Sequence, residues 1–224
     1  MPQSDLVSEI PSISGAIRTK KLGDPELNSL IFKEGEKNEL SYNTTGAQSI
    51  VYHASAQGKQ VVVKFLSAED KNREKIYAEL QQYIALHVDM HQHFVTAKYY
   101  ASGVSIYGEW LPAVVMPVVH GKTLSEEITK YVRERNGKRL GELARKLCSL
   151  ASFLSKKGVV HRDIHPNNIY FEPKTGNLVL IDYDDVYIKG HVEFDAKVLG
   201  HPEYQHPKKI DEKITDDKSV SPYH

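Results

Sequence analysis

Cysteine is nearly missing from this chain: Cys148 is the single one among 224 residues, so no internal disulfide can form, which fits a reducing compartment. An excess of one charge is missing too. Lys+Arg and Asp+Glu each number 29, and a chain that grips nucleic acid through its phosphates ordinarily carries a basic surplus or stripe. No apolar run approaches the roughly 20 residues of a membrane span, and MPQSDLVSEI lacks the charged start and apolar centre of a secretory signal. Neither nucleic acid nor membrane is therefore an expected partner. No internal repeat is found. What is present is 40% hydrophobic residues, enough for one sizeable core or two lobes of an α+β protein.

The stretch through about Gly23 is rich in Ser, Pro and Gly without a sustained period, and is expected to be loosely ordered. Residues 40 to 66 alternate as strands, with β-branched runs on either side of the turn AQGK. Ile76, Leu80, Tyr83, Ile84 and Leu86 recur at helical spacing over residues 70 to 87, and strands are expected again in VTAKYYASG and PAVVMPVV. Thr123 to Glu126 spells a capping box that opens a short helix. A longer helix follows, with Leu140, Leu143, Leu147, Leu150 and Leu154 as its expected buried face, Cys148 expected to be packed, and Gly158 as its end. The tail from Lys208 is charged.

Between that helix and the hairpin IYFEPKTGNLVLID lies VVHRDIHPNNIYF, residues 159 to 171, crowded with polar groups. Taken alone it could be a turn whose Asp and Asn cap their own backbone. But His161-Arg162-Asp163 followed by Asn168 matches H-R-D-x-x-x-x-N, and its partners arrive in order: Lys64 ending VVVK, Glu79 on the expected helix, Asp182 after the hairpin. In these residues the chain resembles the protein kinase superfamily. The resemblance covers about residues 40 to 207. It implies an N-terminal extension (1–39) that is partly disordered and compatible with an uncleaved secretion signal. A β-rich N-lobe (40–117), a reduced helical C-lobe (118–207) without helices after the activation segment, and a charged tail (208–224) follow.

The resemblance implies a protein substrate and ATP with Mg²⁺. Lys64 would meet the α/β phosphates, oriented by Glu79; Asn168 and Asp182 would offer hard oxygens to the metal; Asp163 would accept the substrate hydroxyl and its proton. Arg162 and His165 belong to the same catalytic loop, His165 standing where Ser/Thr kinases carry a lysine. The nucleotide loop TTGAQSIVY keeps only Gly46 of three glycines, with Ser49 flanking it and Val51 expected over the adenine; Met116 would be the gatekeeper, Pro117 a hinge carbonyl and Val119 the hinge N–H. GKT at Gly121–Thr123 is not a phosphate loop, because Met116 stands where that motif needs glycine. His87, His91 and His93 have no ligand framework around them and are expected in a solvated loop.

IHPNN and IDYDD, with Asp184 in place of a glycine, also resemble the aminoglycoside and choline kinases, so a small-molecule phosphotransferase is an alternative. A non-catalytic binding module with a kinase shell is another. GHPEYQHPK, residues 200 to 208, is similar to the closing motif of a protein-kinase activation segment, with His201 and Lys208 replacing the usual Thr and Glu. The shortened end resembles the minimal effector kinases that bacteria inject into host cytoplasm, the HopBF type above the OspG and NleH group. It implies a monomer, with the ninety-kDa heat-shock chaperone as a candidate substrate. Between Asp184 and Pro202 there is no Ser or Thr, which points to constitutive activity with Arg162 held by Glu193 or Asp195.

Overall fold

The structure is a computed structural model that describes residues 6–36, 39–44, 49–67 and 71–190. The chain forms two compact units, Met1–Ala78 with Thr96–Val118 and Glu79–Val95 with Val119–His224. Strands dominate the first and helices the second, in keeping with the α+β order read from the sequence.

The first unit is built on an antiparallel sheet of β1 (Ile31–Phe32), β2 (Tyr42–Thr44), β3 (Ser49–Ala56), β4 (Lys59–Leu66), β5 (Lys98–Ile106) and β6 (Glu109–Pro117). Its order is β1-β3-β4-β6-β5, with β2 also paired to β3. Gln57 and Gly58, at φ 49° and 78°, close the β3–β4 hairpin, since two left-handed residues match the twist of the flanking strands. Tyr107 and Gly108, at 51° and 84°, repeat the device between β5 and β6.

Strand alternation sorts this sheet into two faces. Ile50, Tyr52 and Ala54 of β3, with Val61, Val63 and Phe65 of β4, join one apolar core that also takes in Leu6, Ile13, Ile17, Leu22, Leu27 and Leu30. The expected loose order through Gly23 is thereby corrected. Residues Leu6–Glu9 form a 3-10 turn, followed by α1 (Ile10–Arg18) and α2 (Pro25–Ser29). Leu6, Ile10, Ile13 and Ile17 carry the helical period, and Pro11 falls in the first turn, where it removes no helical hydrogen bond. The Ser14 and Tyr52 hydroxyls share a hydrogen bond of 3.0 Å, and Gly23 N–H donates to Gly103 O at 3.1 Å. A Cβ on Gly23 would lie 2.2 Å from Ser102 O, so only glycine allows this approach.

α3 (Lys71–Leu86) contributes residues to each unit; Ile76, Leu80 and Ile84 are buried as its period requires, whereas Leu86 at its end is 81% exposed, contrary to expectation. In the second unit Thr123 caps α4 (Leu124–Arg133): its Oγ1 accepts from Glu126 N–H at 3.2 Å while Glu126 Oε2 accepts from Thr123 N–H at 2.9 Å. α5 (Gly137–Lys157) ends at Gly158, φ 65°. Leu143, Leu150 and Leu154 are buried, but Leu147 and Cys148 are exposed, which corrects two expectations. At about 100° per residue the three buried leucines span a stripe roughly 40° wide, and Leu147 and Cys148 fall outside it. His93 also departs from the solvated loop expected of it: it is half-buried and its Nδ1 meets Leu178 O at 2.7 Å.

Two short ladders complete the second unit. β9 (Ile169–Phe171) pairs with β10 (Leu178–Leu180) and with β7 (Lys122–Thr123), and β8 (Val159–Val160) pairs with β11 (Tyr187–Ile188). Residues 161–168 and 181–186 are therefore loops strung between the same two ladders.

The N-terminal helices are a structural part of the first unit, and this has a direct test. Ile13→Ala, at a fully buried position, should lower the unfolding free energy by about 2–5 kcal/mol in urea titration. A loss within the roughly 0.5 kcal/mol typical of surface sites would mean that α1 does not belong to that core.

Candidate active site

The paired loops of the second unit gather six of the singled-out residues. His161 is fully buried, and its Nε2–H donates to Ile181 O at 2.8 Å, tying one loop to the other. Burial pushes its pKa down, against the opposing pull of Asp182 and of that hydrogen bond. Asp163 N–H donates back to His161 O at 2.8 Å, which makes Arg162 the centre of a three-residue turn with φ 59°, a left-handed and uncommon form.

The Asp163 carboxylate is positioned by Asn168, whose Nδ2 donates to Asp163 Oδ2 at 2.9 Å and to Asp163 O at 3.1 Å. His165 lies beside it with Nε2 3.6 Å from Oδ2. Because His165 Nδ1 accepts from Asn167 N–H at 3.3 Å, the neutral ring carries its proton on Nε2, facing the carboxylate. Ile181 N–H donates to Asn168 O at 3.0 Å, so the backbone beside Asp182 is fixed to Asn168. Asp182 itself has φ 66°, and the next residue, Tyr183, is fully buried, donating to Leu180 O at 2.7 Å and accepting from Val95 N–H at 3.0 Å.

Arg162 reaches residues beyond Asp182. Its Nη1 lies 3.2 Å from Asp185 Oδ1, and its guanidinium carbon lies 5.1 Å from the centre of the Tyr187 ring. Glu193 and Asp195, the partners expected of it, lie outside the described residues, as do His201, Lys208 and Gly46. Asp185 escaped sequence reasoning. The only available signal was the extra carboxylate in IDYDD, which does not say which arginine it meets.

In the first unit Val51 lies opposite Lys64, Lys64 opposite Val114, and Val62 opposite Met116. Directly opposed residues share a face, so Ser49, Val51, Lys64 and Met116 all lie on the face of the sheet away from the N-terminal helices. Lys64 is buried to 8% exposure on β4. Pro117 ends β6, and Val118 N–H donates to Gln60 O at 3.1 Å. Glu79, on α3, and Val119, in the segment after β6, are half-buried members of the second unit.

The residues of the two paired loops suit Mg²⁺. Asn168 spends its amide nitrogen on Asp163, which leaves its carbonyl oxygen as the hard donor it could offer a cation, and Asp182 could add a carboxylate. The buried His161 also sets a pH dependence of stability. Its folded-state pKa lies below the unfolded value near 6.5, so unfolding takes up protons as pH falls. Its contribution is complete above pH 6.5 and is lost below it, with a slope of at most about 1.4 kcal/mol per pH unit. Urea midpoints measured from pH 7.5 to 5.5 should fall, and fall less steeply in His161→Gln; equal slopes would refute the assignment.

Comparison with known proteins agrees with this arrangement. The protein kinase domain model matches residues 44–221. CBL-interacting serine/threonine-protein kinase 19 of Arabidopsis thaliana is 25% identical over 97% of this chain and 43% of its own length. Serine/threonine-protein kinase STE20 of Debaryomyces hansenii is 24% identical over 68% of this chain and 14% of its own. The chain thus spans less than half the length of these curated relatives. With His161-Arg162-Asp163, Asn168 and Asp182 on adjoining loops of an α+β fold, and with that match over most of its length, the chain belongs to the protein kinase domain family.

Proposed function

We propose that this protein is an ATP- and Mg²⁺-dependent protein kinase that transfers the γ-phosphate to a Ser or Thr hydroxyl of another protein. The observation that carries the reading is the 2.9 Å bond from Asn168 Nδ2 to Asp163 Oδ2, which holds an acceptor carboxylate in one orientation. The substrate oxygen forms a bond to the γ-phosphorus, the bond to the ADP oxygen breaks with its electron pair, and Asp163 takes the hydroxyl proton. Bound Mg²⁺ supplies positive charge to the phosphate oxygens, and Asn168 and Asp182 would hold it. Lys64 would direct the α/β phosphates with Glu79 orienting its ammonium, and Ser49, Val51, Met116, Pro117 and Val119 would form the nucleotide seat. His165, with Nε2–H toward Asp163, would take the part of the lysine that Ser/Thr kinases carry there.

Both curated relatives are named serine/threonine kinases, which favours a Ser/Thr hydroxyl over Tyr. The motif-level resemblance to minimal effector kinases supports a finer reading. In it the protein is a constitutively active monomer, delivered by a bacterium into host cytoplasm, with the ninety-kDa heat-shock chaperone as its first candidate substrate.

Radiolabelled ATP with Mg²⁺, offered with a eukaryotic lysate and with aminoglycosides, tests the reaction. A discrete protein band is expected, with Asp163→Ala lowering kcat by about 10²–10⁴-fold, the range for a lost general base. Asp182→Ala should abolish the band as well. Label on the aminoglycoside would transfer the protein to the small-molecule class, and bound ATP without any transfer would leave a binding module. For His165, replacement by Ala should cost roughly 10²-fold in kcat, the scale of one preorganised donor, while Lys should restore it. Equal losses in both would end the lysine-substitute reading.

A further inference from the structure

The turn that carries Asp163 is strained at Arg162. A non-glycine residue at φ 59° persists only where its surroundings over-determine it, and the backbone here supplies one hydrogen bond, from Asp163 N–H to His161 O. Additional restraint comes through the Arg162 side chain. Its guanidinium meets Asp185 Oδ1 at 3.2 Å and lies over Tyr187, and the two charged side chains are only 17% and 8% exposed. Sheltered charges are screened far less than surface pairs, so the attraction holds at physiological salt, and breaking such a pair is costly.

Both anchors are themselves fixed. Asp185 lies in the short loop after β10, three residues beyond Asp182, and Tyr187 opens β11, paired with Val160 of β8 just before the turn. Arg162 thus clamps the 161–168 loop to the 181–187 segment. In kinases regulated by phosphorylation, a phosphate added to the loop orders it by pairing with arginine. Here a carboxylate of the chain already meets the guanidinium, and between Asp184 and Pro202 the only hydroxyl is that of Tyr187.

Building on the protein kinase reading, we infer that Asp185 is a positioning residue for Asp163: through Arg162 it supplies a permanent negative charge that braces the catalytic turn, so phosphoryl transfer needs no phosphate on the segment that follows. The electrostatic work of a modification is written into the chain three residues after Asp182.

The full chain is assayed for kcat and for KM of ATP, as isolated and after phosphatase treatment, alongside Asp185→Asn and Asp185→Glu. Asparagine keeps the shape and removes the charge. It should lower kcat by about 10²-fold, the effect of displacing a catalytic group by ~1 Å, with KM for ATP unchanged. Glutamate should recover most of the loss, and phosphatase should leave the wild-type rate intact. A wild-type kcat in Asp185→Asn, or a rate abolished by phosphatase, would overturn the proposal. Thermal unfolding by circular dichroism checks that the variants fold; should Asp185→Asn fail there, the glutamate variant and the phosphatase comparison decide. A second readout is independent of activity. The Asn168 side-chain amide signals in NMR report its bond to Asp163, and they should move in Asp185→Asn but stay near wild type in Asp185→Glu. If wild type transfers no phosphate to protein, the kinase reading falls, while unmoved Asn168 signals would separately sink the role given to Asp185.

Discussion

A buried imidazole sets out the candidate site. His161 donates from Nε2 to Ile181 O at 2.8 Å in a place where no water competes, and a hydrogen bond in such a low-dielectric setting is stronger than the same bond at the surface. The β8–β11 and β9–β10 ladders fix the ends of the two loops, and this bond joins the loops where they leave β8 and β10. Because a carbonyl only accepts, Nδ1 is the nitrogen without a proton, and among the described residues it has no hydrogen-bond partner. Charging the ring would bury a proton with nothing to receive it, which is why burial lowers its pKa. The two neighbouring acidic loops pull the other way, toward a charged ring, and burial outweighs them.

In the first unit the organising constraint is the parity of the sheet. Eight consecutive pairs along β3 and β4 put every even-numbered residue of β3 and every odd-numbered residue of β4 on the core face. Lys64 and Val51 go to the other face by the same rule. A slip of one residue in this hairpin would turn Lys64 into the apolar core and Val63 out of it. The N-terminal helices strengthen the register, since Tyr52 is held from that side by Ser14 and ringed by Phe32, Tyr42 and Phe65. Residues that carry no catalytic chemistry thus bear on where the lysine points.

Much of this was legible in the chain itself, for identifiable reasons. The capping box at Thr123, the stop at Gly158, the β3–β4 hairpin and the spacing from Asp163 to Asn168 are local: each is written within a few residues and closes on itself. The misreadings concern partners distant in sequence. Ser, Pro and Gly before Gly23 suggest disorder by composition, yet Leu6, Ile10, Ile13 and Ile17 hold a helical period, and the period is what the core reads. Leu147 carried the right spacing and stayed exposed, because a stripe's width depends on what packs against the helix. Asp185 was visible only as one carboxylate among several, since nothing local tells which loop its arginine comes from.

Strain collects where neighbouring side chains must go to different places. Arg162 at φ 59° and Asp182 at φ 66° are the two left-handed non-glycine residues within the paired loops, each costing on the order of 1–3 kcal/mol. Three successive side chains at 161–163 have three separate destinations: the core, Asp185, and Asn168. A strand offers only two directions, alternating, and a helix turns by a fixed angle at each step. A left-handed residue between the first and third breaks that regularity, so His161 can be buried while Asp163, two positions on, is turned to Asn168. The same holds at 181–183, where the Ile181 carbonyl meets His161, Tyr183 is buried, and Asp182 stands between them. Glycine would adopt these angles more cheaply, but neither position could then supply its charge. The cost of the left-handed backbone is therefore offset by the side chains it presents, and it falls at the two positions where geometry and charge are needed together.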